Sequence, residues 1–147
     1  MKLQKNTVLA LCSVLDFAGA PDRHIAAAEI AQRYGVSPHH LAKVLALLAR
    51  SGVVVSVRGV GGGYRFAGNA RRLTLMDIIQ MFEDIAPAAP ARDAQGRATP
   101  VETALGSVLS EIDANAQATF SSITLATMLR LIERQQADTP CGATATR

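Results

Sequence analysis

The stretch of residues 35–66, GVSPHHLAKVLALLARSGVVVSVRGVGGGYRF, decides the fold. It opens with a proline-started apolar pattern of helical period, passes into a run of valines, and then places four glycines within five positions. No acidic residue occurs in it. The pattern predicts a helix followed by a glycine-tipped β-hairpin on a positively charged surface.

The residues before this helix predict a helix-turn-helix. A short helix is expected over residues 25–33, and Gly35 is well placed to end it in a left-handed conformation. Ser37 is a good N-cap, and Pro38 at the first helical position needs no backbone donor. Two short helices joined by a glycine-containing turn are typical of the helix-turn-helix motif.

The helix after Ser37 has two chemically different sides. At roughly 100° per residue, one side collects the apolar residues Leu41, Val44, Leu45 and Leu48. The opposite side collects His39, Lys43, Ala46 and Arg50. Basic and small side chains on that side allow close approach to a phosphate-lined groove, as a recognition helix requires.

The valine run and the glycines predict a two-stranded wing. Residues 53–57 are mostly β-branched, and residues 64–66 can pair back with them. Arg58 and Arg65 flank the glycine-rich loop, and a guanidinium is favoured in a DNA minor groove. A nucleotide-binding loop fits less well, because no Lys-Ser/Thr pair follows the last glycine and a strand, not a helix, comes next. A hairpin turn without function stays open as the alternative.

Positive charge is concentrated in the same part of the chain. The whole chain has 147 residues and a formal net charge of +3. Seven basic residues and no acidic residue lie within residues 30–76, namely Arg33, Lys43, Arg50, Arg58, Arg65, Arg71 and Arg72. This segregation is expected of a surface that binds a polyanion, although charge alone does not separate DNA from RNA or an anionic membrane.

The remaining elements are predicted from apolar periodicity and capping residues. Val8, Leu11, Cys12 and Leu15 indicate a first helix over about residues 7–18. Thr74 and Asp77 predict the start of a helix with an apolar face. Thr99 and Glu102 form a second capping box, and the long helix that follows carries Val101, Leu105, Val108, Leu109 and Ile112 to about Phe120. A last short helix is expected over residues 125–134.

These elements divide the chain into four predicted parts. They are a winged helix-turn-helix head with its supporting helix (residues 1–85), a loop (86–100), a long helix with the closing short helix (100–136), and a disordered tail (137–147). The predicted fold class is mainly α with a small β-hairpin wing, a winged helix-turn-helix head joined to a long amphipathic helix.

Composition excludes several classes of protein. The two cysteines, Cys12 and Cys141, have no spacing typical of a zinc site or a disulfide framework. No membrane-length apolar run or signal-peptide pattern occurs, so we expect a cytoplasmic protein that binds no membrane. No Ser/His/Asp arrangement, metal-ligand cluster or paired carboxylates indicates an enzyme.

Four segments together resemble the Rrf-two family of bacterial winged helix-turn-helix transcription regulators, which includes IscR, NsrR and CymR. They are MKLQKNTVLAL, GVSPHHLAKVLALLARSGVVVSVRGVGGGYRFA, LTLMDIIQMFE and FSSITLATML. The resemblance extends from residue 1 to about residue 134. It implies a homodimer that binds double-stranded DNA at a pseudo-palindromic operator and represses transcription.

The resemblance also implies where the DNA contacts and the dimer contacts lie. Base contacts fall on His39, Ala42, Lys43 and Arg58, where His39 and Ala42 replace the serine and glutamate of some relatives. The full predicted DNA-contact set is Ser37, His39, His40, Ala42, Lys43, Arg50, Arg58, Gly59, Gly61, Gly62, Tyr64 and Arg65. The predicted dimer contacts are Leu105, Val108, Leu109, Ile112 and Phe120, although core packing is the alternative for these apolar residues.

The chain departs from the cluster-binding members of that family. Those members carry three cysteines before the long helix, whereas no cysteine lies between Asp84 and Val101 here. We therefore expect no iron–sulfur cluster and no other cofactor or metal. Val8 stands where some members have an acidic ligand, and Asp93 is expected to be a solvated loop residue. Signals left open are a redox-active Cys12, a small effector, a partner protein, or none, and a protein-binding winged helix is the alternative function.

Overall fold

The computed structural model describes residues 2–85 and 95–139. The described residues form six helices and one two-stranded antiparallel sheet: α1 (Lys5–Gly19), α2 (Ala27–Tyr34), α3 (Pro38–Arg50), β1 (Val54–Val57), β2 (Gly63–Phe66), α4 (Leu75–Ile79), α5 (Pro100–Ser122) and α6 (Leu125–Asp138). The predicted fold class, mainly helical with a small hairpin, is confirmed. Most of the predicted loop at 86–100, with Asp93, and most of the tail, with Cys141, lie outside the described residues.

The helix-turn-helix forms as the sequence predicts. Gly35 ends α2 with φ 62°, and its N–H donates to the carbonyls of the last turn. The Ser37 hydroxyl accepts a hydrogen bond from the His40 N–H at 3.1 Å, which caps α3, and Pro38 occupies the first turn. Because these two residues end one helix and begin the next within three positions, α2 and α3 are held at a fixed angle to each other.

The predicted wing is present, and an additional backbone pairing supports it. Val54 pairs with Phe66 and Val57 with Gly63 across the hairpin. On the free edge of β2, Ile25 forms an antiparallel bridge with Tyr64. The prediction that α2 begins at Ile25 is therefore wrong. The helix begins at Ala27, because the backbone of Ile25 is extended and bonded to the wing.

One continuous core joins α1, α3, α4 and the base of the wing. The predicted apolar side of α3 is buried throughout, and Leu41, Leu45 and Leu48 have no exposed surface. They pack in the same cluster as Phe17 of α1 and Ile78 of α4. The apolar side of α3 is thereby fixed inward, so its other side faces outward.

The first helix forms over Lys5–Gly19, and its most deeply buried side differs from the apolar residues that indicate the helix in the sequence. The buried residues are Thr7, Leu9, Ala10, Ser13, Val14, Phe17 and Ala18. Val8 is 45% exposed, and Leu11, Cys12 and Leu15 are half-buried. The buried side contains two hydroxyls, each satisfied by a hydrogen bond: Thr7 donates to Glu83 and Ser13 to the Leu9 carbonyl. Because buried polar groups that have hydrogen-bond partners cost little, these two residues can lie in the core.

Capping residues begin the later helices where predicted. Thr74 with Asp77 and Thr99 with Glu102 form capping boxes at α4 and α5. The hydrogen bonds from Thr99 lower the pKa of the Glu102 carboxyl. α5 ends at Ser122, two residues beyond Phe120, and α6 ends at Asp138, four residues beyond the predicted Arg134. Gln135, Gln136 and Ala137 favour helix, which accounts for the longer α6.

α6 packs back on the winged helix-turn-helix head. Leu125 is fully buried in the common core, its N–H donates to the Leu73 carbonyl, and the Ala126 N–H donates to Ala70. None of the helices in residues 2–85 and 95–139 is long and apolar enough to span a membrane.

Candidate nucleic-acid interface

Six of the seven basic residues in the acid-free stretch form an exposed cationic set. Arg33 is the exception, because it pairs with Asp16 at 3.0 Å and with Glu29 at 3.3 Å. The other six are exposed and make no ion pair with another described residue: Lys43, Arg50, Arg58, Arg65, Arg71 and Arg72. Because these exposed cations have no carboxylate partner within the described residues, they are available to pair with an anionic partner.

The outward side of α3 carries polar and small residues. His39, Ala42, Lys43, Ala46 and Arg50 are all exposed, and His40 is half-buried at its edge. The small Ala42 and Ala46 lie beside Lys43 and leave room for a groove wall to approach the helix. Ser37, which the sequence places among the DNA contacts, is exposed, but its hydroxyl already caps α3.

The tip of the wing is open to solvent. Arg58, Gly59, Gly61 and Arg65 are exposed, and Val60 is fully exposed. Gly59 and Gly61 have φ values of 105° and 75°, a backbone region that side chains rarely adopt. The Gly62 N–H closes the tip by donating to the Gly59 carbonyl at 3.0 Å. A narrow tip of this kind can enter a groove while Arg58 stands at its side.

Two residues of the predicted DNA-contact set also have structural roles in the wing. The Tyr64 ring lies 6.2 Å from that of Phe17 at an angle of 43°, and the Tyr64 backbone pairs with Ile25. A Cβ on Gly62 would collide with the backbone of Val57 and Gly59. Tyr64 therefore packs against the core, and Gly62 shapes the turn.

Sequence reasoning missed two residues that bear on this surface. Ile25 anchors the wing, and its only signal is an apolar residue just before an alanine-rich helix. Asn6 of α1 lies beside His40 and Lys43, where the three line one concavity. Nothing in the local sequence around Asn6 indicates α3 as its neighbour, since the two are more than thirty positions apart.

α5 carries an exposed apolar stripe along its first half. None of its residues is buried, and five apolar side chains are 50–77% exposed: Val101, Leu105, Val108, Leu109 and Ile112. Phe120 differs from them, because it is half-buried against the core. Four of the five predicted dimer contacts therefore lie on an unpartnered face, and the fifth packs within the chain.

Cys12 is half-buried in α1 near Tyr34 and Asp16. Burial, followed by the negative charge of Asp16, raises the pKa of the thiol, and this disfavours the thiolate. The Tyr34 hydroxyl donates to Asp16 at 2.6 Å, and burial raises the Tyr34 pKa strongly. Within residues 2–85 and 95–139, no group of three or more His, Cys, Asp or Glu side chains could hold a metal ion.

Comparison with known proteins gives consistent matches along the chain. The family model Rrf2, described as an iron-dependent transcriptional regulator, matches residues 3–131. The chain is 43% identical over 148 residues to an HTH-type transcriptional regulator, BadM, of Rhodopseudomonas palustris, covering 99% of this chain and 94% of that protein.

Solved structures share the fold. IscR of T. potens superposes with a TM-score of 0.74 at 27% identity, covering 92% of this chain and 91% of that one. CymR of B. subtilis, the global cysteine regulator, superposes with a TM-score of 0.74 at 24% identity, covering 89% and 98%. With a winged helix-turn-helix fold, an exposed cationic surface and a family match over residues 3–131, the chain belongs to the Rrf2 family of DNA-binding transcriptional regulators.

Proposed function

We propose that this chain acts as a homodimeric repressor that binds a pseudo-palindromic DNA operator and carries no iron–sulfur cluster. The observation that supports it most strongly is the set of six exposed cations without carboxylate partners, which includes Lys43 on α3 and Arg58 at the wing. A duplex supplies the phosphates that such a set requires.

In this proposal α3 and the wing have different tasks. α3 lies in the major groove, where His39, Ala42 and Lys43 face base edges and Arg50 lies toward a phosphate. The wing tip approaches the neighbouring minor groove, where Arg58 is attracted by the negative potential. Arg65 and the exposed backbone of Gly59 and Gly61 contribute phosphate contacts.

The dimer is proposed from the exposed face of α5. Apolar side chains that are at least half exposed on one side of a 23-residue helix indicate an interaction surface. A second copy is the simplest occupant, because a twofold pair of heads matches a twofold DNA site. We propose the same division of the chain as the sequence predicts, with α6 docked on the head and α5 joining the two copies.

The donor set does not fit an iron–sulfur cluster. Thiolate ligation needs several cysteines within reach of one another. The chain has two, and Cys12 lies half-buried in α1 with its thiolate disfavoured. The iron dependence in the family's description and the cluster-binding relatives therefore do not transfer to these residues. A raised pKa also disfavours the reactive thiolate that a redox sensor needs, so Cys12 does not fit that role.

Repression needs no surface beyond those already described. A dimer bound across a promoter excludes polymerase by occupying the duplex, whereas activation requires a further contact with polymerase. A small effector or a partner protein that releases the dimer would complete the regulation.

Gel retardation on genomic promoter fragments, including the promoter of its own gene, tests the proposal. We expect one specific complex that weakens steeply with added salt, because each phosphate contact releases counterions. Transcription in vitro from the retarded promoter should fall as the protein is added. If no fragment is retarded, binding of a protein by the winged helix becomes the better-supported function.

A further inference from the structure

Glu83 holds the beginning of α1 in place. Its Oε1 atom accepts hydrogen bonds from the Gln4 backbone N–H and from the Thr7 hydroxyl, both at 2.6 Å. Thr7 is fully buried, so water cannot replace this partner. Since Glu83 lies just beyond α4, the carboxylate ties the start of α1 to a segment more than seventy residues away in sequence.

The tied segment presents Asn6 to α3. A concavity of about 170 Å³ lies between α1 and α3, lined by Asn6, His40, Lys43, Val44, Leu47 and Phe82. Phe82 precedes Glu83 in the chain, so one segment both closes the concavity and holds α1. The position of Asn6 beside Lys43 therefore depends on the Glu83 hydrogen bonds.

The polar groups of this concavity suit an anion. They are the Asn6 amide, the His40 imidazole and the Lys43 ammonium, and no carboxylate lines the space. The amide NH₂ of Asn6 can donate a hydrogen bond to a phosphate oxygen, and the Lys43 ammonium beside it adds positive charge while it faces the bases. Lys2 and Lys5, both exposed, add positive charge on either side of Gln4. Contacts at the flank of a recognition helix commonly go to backbone phosphates.

We propose that Asn6 contacts a DNA backbone phosphate at the side of α3, next to Lys43, and that Glu83 is the positioning residue that holds Asn6 there. This inference rests on the proposed DNA binding and adds α1 to the DNA-contacting surface. The contact orients α3 in the groove and carries no sequence information of its own.

Affinities of Asn6→Ala for two duplexes test the contact. One duplex is the operator recovered by retention on the parent protein from a randomised pool, and the other has the same length and a scrambled sequence. We expect Asn6→Ala to weaken binding at least about tenfold for both, because one hydrogen bond to a charged group is lost and a phosphate contact is independent of sequence. The matched control is Gln4→Ala, which binds like the parent, since that side chain does not line the concavity.

A double-mutant cycle tests the role of Glu83. Glu83→Ala removes the acceptor and should weaken binding by the same factor as Asn6→Ala, and the double variant should bind no more weakly than either. Glu83→Gln keeps an acceptor oxygen and should restore most of the affinity. If the two effects multiply, Glu83 acts independently of Asn6 and its positioning role is wrong.

If Glu83→Ala does not fold, variants of Thr7 test the same hydrogen bond. Thr7→Val removes one of the two hydrogen bonds with little change of shape, and Thr7→Ser retains the hydroxyl. We expect weaker binding of both duplexes for Thr7→Val and parental binding for Thr7→Ser, with folding followed by circular dichroism. Equal affinities for the two variants would overturn the inference.

The inference and the proposed function fail in different ways. If the parent binds its operator and Asn6→Ala binds both duplexes like the parent, the α1 contact is wrong and the proposed function stands. If the randomised pool yields no enriched duplex and the parent retards none, both are wrong.

Discussion

The backbones of Ile25 and Tyr64 exchange two hydrogen bonds. The Ile25 N–H donates to the Tyr64 carbonyl at 2.9 Å, and the Tyr64 N–H donates to the Ile25 carbonyl at 2.8 Å. Ile25 lies just before α2 and Tyr64 lies in β2, so these bonds join the helix-turn-helix to the wing. Because the Tyr64 ring also packs near Phe17, the wing is fixed to the head at its middle while its tip stays open.

Substitution of Gly63 should loosen this junction. A Cβ at Gly63 would lie 2.5 Å from the Ile25 carbonyl oxygen, so the wing and Ile25 must separate. We expect Gly63→Ala to lower the free energy of unfolding by ~1–3 kcal/mol, measured by urea denaturation. Ser56→Ala, at an exposed position on β1, is the control and should change it little. An unchanged unfolding midpoint for Gly63→Ala would show that the junction does not support the wing.

Removal of the cations at the proposed contacts should weaken DNA binding without unfolding the protein. Lys43 and Arg58 are exposed and make no ion pair with a described residue, so their loss leaves the core intact. We expect Lys43→Ala and Arg58→Ala each to weaken operator binding about tenfold, a cost within the ~1–3 kcal/mol typical of a good base contact. Fluorescence anisotropy measures the affinity and thermal melting checks the fold. Arg134 is an exposed residue of α6, and Arg134→Ala should bind like the parent. Equal affinities for all three variants would place the DNA interface elsewhere.

A charge on the apolar face of α5 should separate the dimer. Leu109 lies on that face, and Ser110 lies on the opposite side of the helix at roughly 100° per residue. We expect Leu109→Asp to sediment as a monomer, because association would bury an unpaired carboxylate at high cost. Ser110→Asp should remain a dimer in the same sedimentation experiment. A parent protein that sediments as a monomer at micromolar concentration would contradict the proposed assembly.

The Cys12 thiol should react slowly at neutral pH. Its pKa is raised, chiefly by burial and then by Asp16, so the reactive thiolate forms only above the usual pH range. In a Cys141→Ser background, which leaves one thiol, we expect iodoacetamide to modify native Cys12 more slowly than the unfolded chain. The stability that the buried neutral thiol contributes is present below its unfolded pKa and is lost as pH rises through the folded pKa. Rapid modification of native Cys12 at pH 7 would contradict this expectation and would favour a redox role for Cys12.

The helix-turn-helix and the two sides of α3 could be predicted because the residues that determine them are close together in sequence. Ser37, Pro38 and Gly35 determine the turn within a few residues, and the two sides of α3 differ sharply in polarity. The capping boxes at Thr74 and Thr99 are likewise four-residue patterns in which each residue type has a defined hydrogen-bonding role.

The sequence misled where a long-range contact decides the structure. The core face of α1 contains Thr7, whose hydroxyl is satisfied only by Glu83, 76 positions away. The start of α2 is displaced because Ile25 pairs with the distant β2. The Phe120 side chain is half-buried because the end of α5 packs against the core. The apolar periodicity of α5 alone does not predict which part of the helix makes that contact. In each case the residue's position is determined by a contact with a part of the chain that is distant in sequence, which a local pattern does not contain.

Nuclease protection of the bound operator is the most direct test of the account. Two heads related by a twofold axis should protect two inverted half-sites whose centres lie a whole number of helical turns apart, roughly 34 Å or a multiple of it. Within each half-site, Arg58→Ala should remove protection on the minor-groove side of the α3 contact. A single asymmetric protected patch, or protection that neither Lys43→Ala nor Arg58→Ala alters, would contradict it.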